Sequence, residues 1–357
     1  MTKPKITYGI IGFGNIALTR IAKEGFCLDA ARFEPSEETR LKGVTSRSQT
    51  RRADAEGLGL TWYDSMDDLL GDSEIDAIFV ASNNLSHFGH AAETLQAGKH
   101  CIVEKPITTT LGDAIQLVTQ AKERGLSLAV DHMMLKNAFN RKAAELVKQK
   151  VCGEINDISL HIEFLLGAKK EDAASWRCSN PEEKGGPIGD VGSHCLYMAE
   201  YLMGSRITSI SCVYTPRTLD IAVENGAIMH IVFENGTSGS IRAAFNQPRG
   251  GYIGTARSVG YEIYGERGII RSFATLHQFS GHPDEPVIPR LEIDDGKHVE
   301  SIAVGNIINI YRAVIDEHAL SIREGKPMDG SDAVHNLKLV LTAYESASRG
   351  GKQIAIA

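Results

Sequence analysis

The sequence predicts an α/β protein in two parts: a parallel sheet covered by helices, then a mostly antiparallel sheet. Three observations carry this expectation. Apolar runs alternate with helical stretches over roughly the first 150 residues, as βαβ units require. A glycine-rich turn joins the first apolar run to the first helical stretch. After that, strand candidates succeed one another with short turns. A chain of 357 residues is long enough for two domains at about 150 residues each. The boundary is placed at 1–131 and 132–357, with the C-terminal helix packing back on the first domain.

Taken in order, Ile6 to Ile11 is an apolar run ending at Gly12, and a helix follows from Asn15. Leu41 to Thr45 and Leu60 to Tyr63 are short strand candidates. Ile75 to Ala81 is apolar nearly throughout, as a strand buried on both faces should be. Phe88 to Ala97 has helical spacing and Gly98 stops it. His100 to Val103 reads as a strand, Leu111 to Arg124 as a helix closed by Gly125, and Leu126 to Val130 as a strand. In the second part the strands are Ile155 to Phe164, Ile207 to Tyr214, Ala227 to Phe233, Thr237 to Ala244 and Val259 to Tyr264. Asn235-Gly236 is a hairpin signal between two of them. One helix interrupts them near Val191 to Leu202. Asn306 to Arg349 reads as two helices split by Gly325-Lys326-Pro327. Glu34 to Arg40 and His282 to His298, charged and rich in turn residues, are expected to be the least ordered.

Composition limits the function. Lys and Arg total 38 against 45 Asp and Glu, for a net charge of -7. An acidic chain with no basic block lacks the clustered cations that nucleic-acid phosphates or an anionic membrane require. No apolar run approaches the ~18 residues of a membrane helix, and the start of the chain does not read as a signal peptide. The six cysteines, at positions 27, 101, 152, 178, 195 and 212, form no CxxC pair. They read as reduced thiols of a cytoplasmic protein, with no metal site.

The first candidate site is Gly12-Phe13-Gly14-Asn15-Ile16-Ala17, a GxGxxA string between a strand and a helix. Gly12 permits the tight turn, Gly14 admits a pyrophosphate to the backbone, and Ala17 lets the helix pack on the sheet. The helix N-terminus offers N–H groups to the anion. The string predicts a bound nicotinamide dinucleotide. At the end of the second strand, Ser46 and Arg47, with Arg51 and Arg52 near, replace the acid that would bind a ribose 2′-OH. NADP is therefore favoured over NAD. If the strand lies elsewhere, Glu34, Glu37 or Glu38 would supply that acid and NAD would bind.

Glu104-Lys105-Pro106 follows the strand His100 to Val103, where ligands of a doubly wound sheet bind. An ammonium there would lie near the nicotinamide end and lower the pKa of a substrate hydroxyl. The competing reading is a surface ion pair before a proline turn. The third site runs from Lys184 to His194. A helix from Asp190 would put Val191, Cys195, Met198 and Leu202 on one core stripe. It would put Asp190, His194, Tyr197 and Tyr201 on another. His194 is then the general base for an alcohol, with Asp190 orienting it, and the upstream glycines leave room for a sugar-sized ligand. The competing reading makes Asp190 a helix N-cap. Trp176 would stack on a sugar ring and Arg177 bind its oxygens or an anion. Asp131-His132 follows a strand and is a further candidate for substrate contact.

These strings together resemble the Gfo/Idh/MocA oxidoreductase family. The resemblance is carried by GIIGFGNIA, by SNNLSHFGHAAETLQAGKHCIVEKPI around Lys105, by SWRCSNPEEKGGPIGDVGSHCLYMAEYL around Asp190 and His194, and by the tail DGSDAVHNLKLVLTAYESASRGGKQIAI. It implies an N-terminal Rossmann domain with a parallel sheet and a C-terminal α/β domain with a large open, mostly antiparallel sheet. It implies a nicotinamide cofactor and a sugar, polyol or related substrate. Lys105, Asp190 and His194 match the family's catalytic lysine, substrate-binding acid and catalytic histidine. Ser82, Asn83, Asn84 and His87 match a loop that touches the cofactor, and Glu104 joins them in the EKP string. A homodimer or homotetramer through the open sheet is implied. The chain departs from the family in carrying Tyr197 where an acid is common, and Asp131 to Asn137 where a glycine-aromatic-Asn run is usual. An NAD(P)-binding sensor on the same fold, or a redox-neutral enzyme with tightly held NAD, are the alternatives to a dehydrogenase.

Overall fold

The alternating N-terminal pattern builds a six-stranded parallel sheet in the computed structural model, which describes residues 4–247, 259–285 and 287–356. Its strands are β1 (Ile6–Ile11), β2 (Thr39–Thr45), β3 (Thr61–Trp62), β4 (Ala77–Val80), β5 (His100–Val103) and β6 (Leu128–Val130). They lie in the order β3-β2-β1-β4-β5-β6, and every neighbouring pair is parallel. The order reverses between β1 and β4, so the switch point where such sheets bind ligands lies beyond their carboxyl ends. All four residues of β4 are fully buried, which explains its unbroken apolar run. The helices between strands are α1 (Arg52–Gly57), α2 (Met66–Gly71), α3 (Asn84–Gln96) and α4 (Leu111–Arg124). α4 has the expected bounds because both ends are marked: Thr110 Oγ1 accepts the Asp113 N–H at 3.2 Å, and Gly125 takes the left-handed conformation.

Three local expectations shift. The first helix winds with wide i→i+5 turns over Ala17–Gly25, and Phe26 N–H reaches Ile21 O at 2.8 Å. α3 starts at Asn84, four residues before its apolar periodicity begins, because its first turn buries the polar Asn84 and His87. β6 starts at Leu128, since the Leu126 N–H is taken by Ala121 O in closing α4.

The chain divides into two compact units, Met1–Met133 with Ile308–His335, and Met134–Ile307 with Asn336–Ala357. The second unit contains α5 (Ala138–Lys148), β7 (Ile155–Glu163), α6 (Lys170–Ala173), α7 (Trp176–Ser179), α8 (Ser193–Met203), β8 (Ile207–Tyr214), β9 (Gly226–Phe233), β10 (Ser238–Ala244), β11 (Val259–Gly265), β12 (Gly268–Phe273), β13 (Arg290–Asp294) and β14 (Val299–Ser301). With β15 (Ile354–Ala355) these strands form a nine-stranded sheet in the order β14-β13-β12-β11-β7-β10-β9-β8-β15. Asn235-Gly236 makes the expected hairpin between β9 and β10, with Gly236 at φ 84°.

The sheet is mixed, because β7 and β10 run parallel after a crossover through α6 to α8, β8 and β9. The segment His282 to His298, expected to be poorly ordered, contains β13. There Leu291 is buried while Arg290 is exposed, and the flanking charges hid that alternation. β2 likewise begins at Thr39, inside the charged stretch Glu34 to Arg40. β12, β14 and β15 were not anticipated.

α9 (Ile310–Arg323) returns to the first unit, and α10 (Ser331–Ser348) begins there and continues into the second. α9 packs closely on the first helix because a Cβ at Gly25 would lie 2.9 Å from Ile315 Cδ1. Its His318 is fully buried, 2.8 Å from Tyr8 Oη. Burial pulls that imidazole down to about 3, so it is a neutral internal strut. All six cysteines are buried as free thiols. No described helix is long and apolar enough to cross a membrane.

Candidate active site

In the first unit the site elements gather at the carboxyl ends of the strands. Gly12 has φ 90°, and an added Cβ would lie 2.6 Å from the Ser82 backbone. Only glycine fits there. Gly14 is the reverse case: nothing stands within 4 Å of a Cβ position, so that position is open to a ligand. Leu18 N–H reaches Gly14 O at 3.0 Å, which starts the helix and leaves its first N–H groups, near exposed Asn15 and half-buried Ile16, for an anion. These features fit a dinucleotide pyrophosphate.

The second strand does end at Thr45, with Ser46 half-buried and Arg47 exposed just beyond. Glu34, Glu37 and Glu38 precede the strand, at its amino end, away from the carboxyl end where ligands of such a sheet bind. Arg51 is paired with Asp54 at 2.9 Å. Arg52 is paired with Glu56 at 2.9 Å and with Asp64 at 3.0 Å. Among the described residues Arg47 has no ion pair or side-chain hydrogen bond.

After β4, Ser82 and Asn83 are half-buried, while Asn84 and His87 are buried. The His87 ring stands between two loops, with Nδ1 2.7 Å from Pro106 O and Nε2 3.0 Å from Ser82 O. Burial pulls its pKa down to about 4. His87 thus braces the loop, with both nitrogens facing backbone carbonyls instead of a ligand. His90 Nδ1 lies 2.9 Å from Ser82 Oγ. After β5, Lys105 N–H donates to Glu104 Oε2 at 3.2 Å, and the Lys105–Pro106 peptide is cis. After β6, Asp131 is fully buried and His132 is 9% exposed.

In the second unit the glycines between Lys184 and His194 pack against protein. A Cβ at Gly185 would lie 2.8 Å from Arg177 Cα, one at Gly186 2.5 Å from Glu224 Oε2, and one at Gly189 1.9 Å from Lys184 O. The expectation that they leave space for a sugar is corrected: they let the chain close on its own neighbours. The helical path begins with a wide turn over Ile188–Gly192, so Asp190 lies inside a turn and is not an N-cap. The Arg177 guanidinium stacks on Trp176, 4.3 Å from the ring centroid, and its Nε lies 3.6 Å from Asp190 Oδ1.

His194 is 5% exposed, and its Nδ1 is 2.7 Å from Tyr197 Oη. Val191, Cys195, Met198 and Leu202 are buried as expected. Leu196, Ala199 and Glu200 are buried too, so α8 is enclosed on most sides, though Tyr201 is 36% exposed.

Two residues that the sequence did not single out hold this turn. Glu224 Oε1 accepts the Ile188 N–H at 2.9 Å and the Tyr344 O–H at 3.1 Å. Tyr344 Oη in turn accepts the Gly189 N–H at 3.2 Å. Burial raises the Glu224 carboxyl above the ordinary range. No local sequence pattern connects residues 36 and 156 positions apart from Ile188.

The strand order and the glycine turn define a Rossmann-type dinucleotide-binding unit, accompanied by a second unit built on a nine-stranded sheet. Residues 6–132 match the family described as "Oxidoreductase family, NAD-binding Rossmann fold". Residues 140–271 match the GFO/IDH/MocA C-terminal domain. The chain belongs to the GFO/IDH/MocA family. It is 27% identical over 289 residues to a dTDP-3,4-didehydro-2,6-dideoxy-alpha-D-glucose 3-reductase of Streptomyces violaceoruber, covering 81% of this chain and 78% of that one. It is 24% identical over 342 residues to 1,5-anhydro-D-fructose reductase of Ensifer adhaerens, covering 95% and 96%. The crystal structure of aldose-aldose oxidoreductase from Caulobacter crescentus superposes with a TM-score of 0.82 at 21% identity, covering 99% and 100%.

Proposed function

We propose that this chain is an NADP-dependent oxidoreductase acting on a carbinol or keto carbon of a sugar, polyol or sugar derivative. The observation that carries this reading is the His194 imidazole, nearly buried and held through Nδ1 by Tyr197. An imidazole is the side chain suited to exchange a proton with a substrate hydroxyl. A sugar-like substrate is supported by the relatives, two of which are named as reductases of a keto-sugar nucleotide and of anhydrofructose.

The cofactor supplies or accepts the hydride when bound. Gly12, Gly14, Asn15 and Ile16 would hold its pyrophosphate. Ser82, Asn83, Asn84 and Glu104 would line its nicotinamide end, with His87 bracing them. Ser46 and Arg47 would hold the 2′-phosphate, because Arg47 is uncommitted while Arg51 and Arg52 are neutralised by neighbours. His194 takes or returns the hydroxyl proton, and the Lys105 ammonium stabilises negative charge developing on that oxygen. Asp190, tied to Arg177, binds a neighbouring hydroxyl. Trp176, Arg177, Tyr197 and His132 complete the substrate contacts. A homodimer or homotetramer through the open sheet is supported by the exposed cross-strand pair Val213 and Ile228.

The test is a turnover screen with NADPH and keto-sugars, and with NADP and sugars or polyols, followed by nicotinamide absorbance. Turnover of at least one sugar or keto-sugar is expected. Cofactor binding without turnover of any would replace this reading with a sensor or a redox-neutral enzyme.

A further inference from the structure

Asp131 is fully buried, and among the described residues no N–H or O–H donates to either of its carboxyl oxygens. The parallel register of β5 and β6 pairs Val103 with Val130, so Glu104 and Asp131 leave their strands abreast. Asp131 N–H is bound to Val103 O, and Glu104 N–H to Val80 O, each at 2.9 Å, which fixes both backbones. The two carboxyls come within hydrogen-bond reach. Lys105 stands beside the pair. Tyr311 of α9 is buried, with its Oη unpartnered among the described residues, and feels the charges of Glu104 and Asp131 as well as those of Arg20 and Glu24 of the first helix.

Two carboxylates in contact, one of them fully dry, cannot both stay ionised. We propose that Asp131 is a positioning residue that remains protonated and donates to the Glu104 carboxylate, so that one shared proton fixes the strand end presenting Lys105. The proton belongs to Asp131 because Glu104 is only half-buried and its Oε2 already accepts the Lys105 N–H. Burial first, then the charge of Glu104, push the Asp131 carboxyl well above the carboxylate range. What the positioning serves rests on the role proposed for Lys105; the proton itself does not.

The test uses Asp131→Asn, whose amide can donate to Glu104 as the neutral acid does, and Asp131→Leu, which cannot. An acid with a raised folded-state pKa keeps a proton that the unfolded chain has released. Its contribution to stability therefore falls as pH rises from the unfolded value of about 3.9 to the folded one. The folding equilibrium constant of the wild type relative to Asp131→Asn should fall about tenfold per pH unit above about pH 5. It should level off once the folded-state pKa is passed. Titration with NADPH by fluorescence should give a Kd for Asp131→Asn within about threefold of wild type, and about tenfold weaker for Asp131→Leu.

A stability ratio flat with pH would overturn the proposal, and so would Asp131→Asn binding as weakly as Asp131→Leu. If Asp131→Leu does not fold, the pH dependence of Asp131→Asn decides alone. A pH-dependent ratio in a protein that turns over no sugar would sink the proposed function and leave the shared proton standing.

Discussion

Gly12 and Gly186 would both be jammed by a Cβ, but against different things. At Gly12 the obstacle is the Ser82 backbone, at 2.6 Å. At Gly186 it is the Glu224 carboxylate, at 2.5 Å. The first unit shapes its site with strand ends, turns and carbonyls. Even His87 there stands between two backbone carbonyls, with the one N–H of its neutral ring donating to one of them. The second unit shapes its site with side chains brought from afar: Arg177 onto Asp190, and Glu224 and Tyr344 onto the turn that carries Asp190 and leads to His194. A site made by backbone should tolerate side-chain changes and fail on glycine changes. One made by side chains should lose chemistry before it loses binding.

The sharpest version of that contrast is His194→Ala. It should lower kcat about 10²–10⁴-fold, the usual contribution of a positioned acid–base group, while the Kd for cofactor stays put. Steady-state kinetics beside a cofactor titration would show it, and a parallel loss of cofactor affinity would break the contrast. Gly12→Ala should do the opposite. Strain of about 1–3 kcal/mol at a positive φ should weaken cofactor binding about tenfold to a hundredfold, as read by fluorescence titration.

Glu224→Ala strands the Ile188 N–H and the Tyr344 hydroxyl. It should cost about 1–3 kcal/mol of stability and lower kcat with little change in cofactor Kd. Chemical denaturation with kinetics on the same preparation measures both. The mildest change expected is Arg47→Ala. Losing one exposed phosphate contact should weaken NADP about tenfold and leave NAD unmoved. Equal weakening of both would remove Arg47 from the 2′-phosphate site.

The same contrast explains what the sequence made legible. The parallel sheet was readable because burial on both faces writes itself as apolar runs such as Ile75 to Ala81, and because glycines mark its turns. The GxGxxA turn and the end of the second strand at Thr45 came from that local pattern. β13 was missed because Arg290, Glu292 and Asp294 mask the alternation of Leu291 and Ile293. Its charges are used across the sheet, where Arg271 of β12 pairs with both Asp294 and Glu262 of β11. Glu224 and Tyr344 were missed because nothing local to either points to Ile188 or Gly189. The glycines at 185, 186 and 189 were seen but misjudged. A string shows that a Cβ is unwelcome, and not whether a ligand or the protein occupies the space. Asp131 is legible in the sequence only as a candidate, with His132, for substrate contact, since its distinguishing feature, the register that sets it beside Glu104, belongs to the sheet.

Every step assigned to His194 presupposes a nicotinamide dinucleotide held by the first unit. The most direct test is therefore a thermal-shift titration of the purified protein with NAD, NADH, NADP and NADPH, each alone. A ligand that binds only the folded state raises Tm by mass action. The account predicts a rise with NADP and NADPH well above that with NAD and NADH. A rise with none of the four, in protein shown by absorbance of its denatured supernatant to carry no cofactor already, would contradict it.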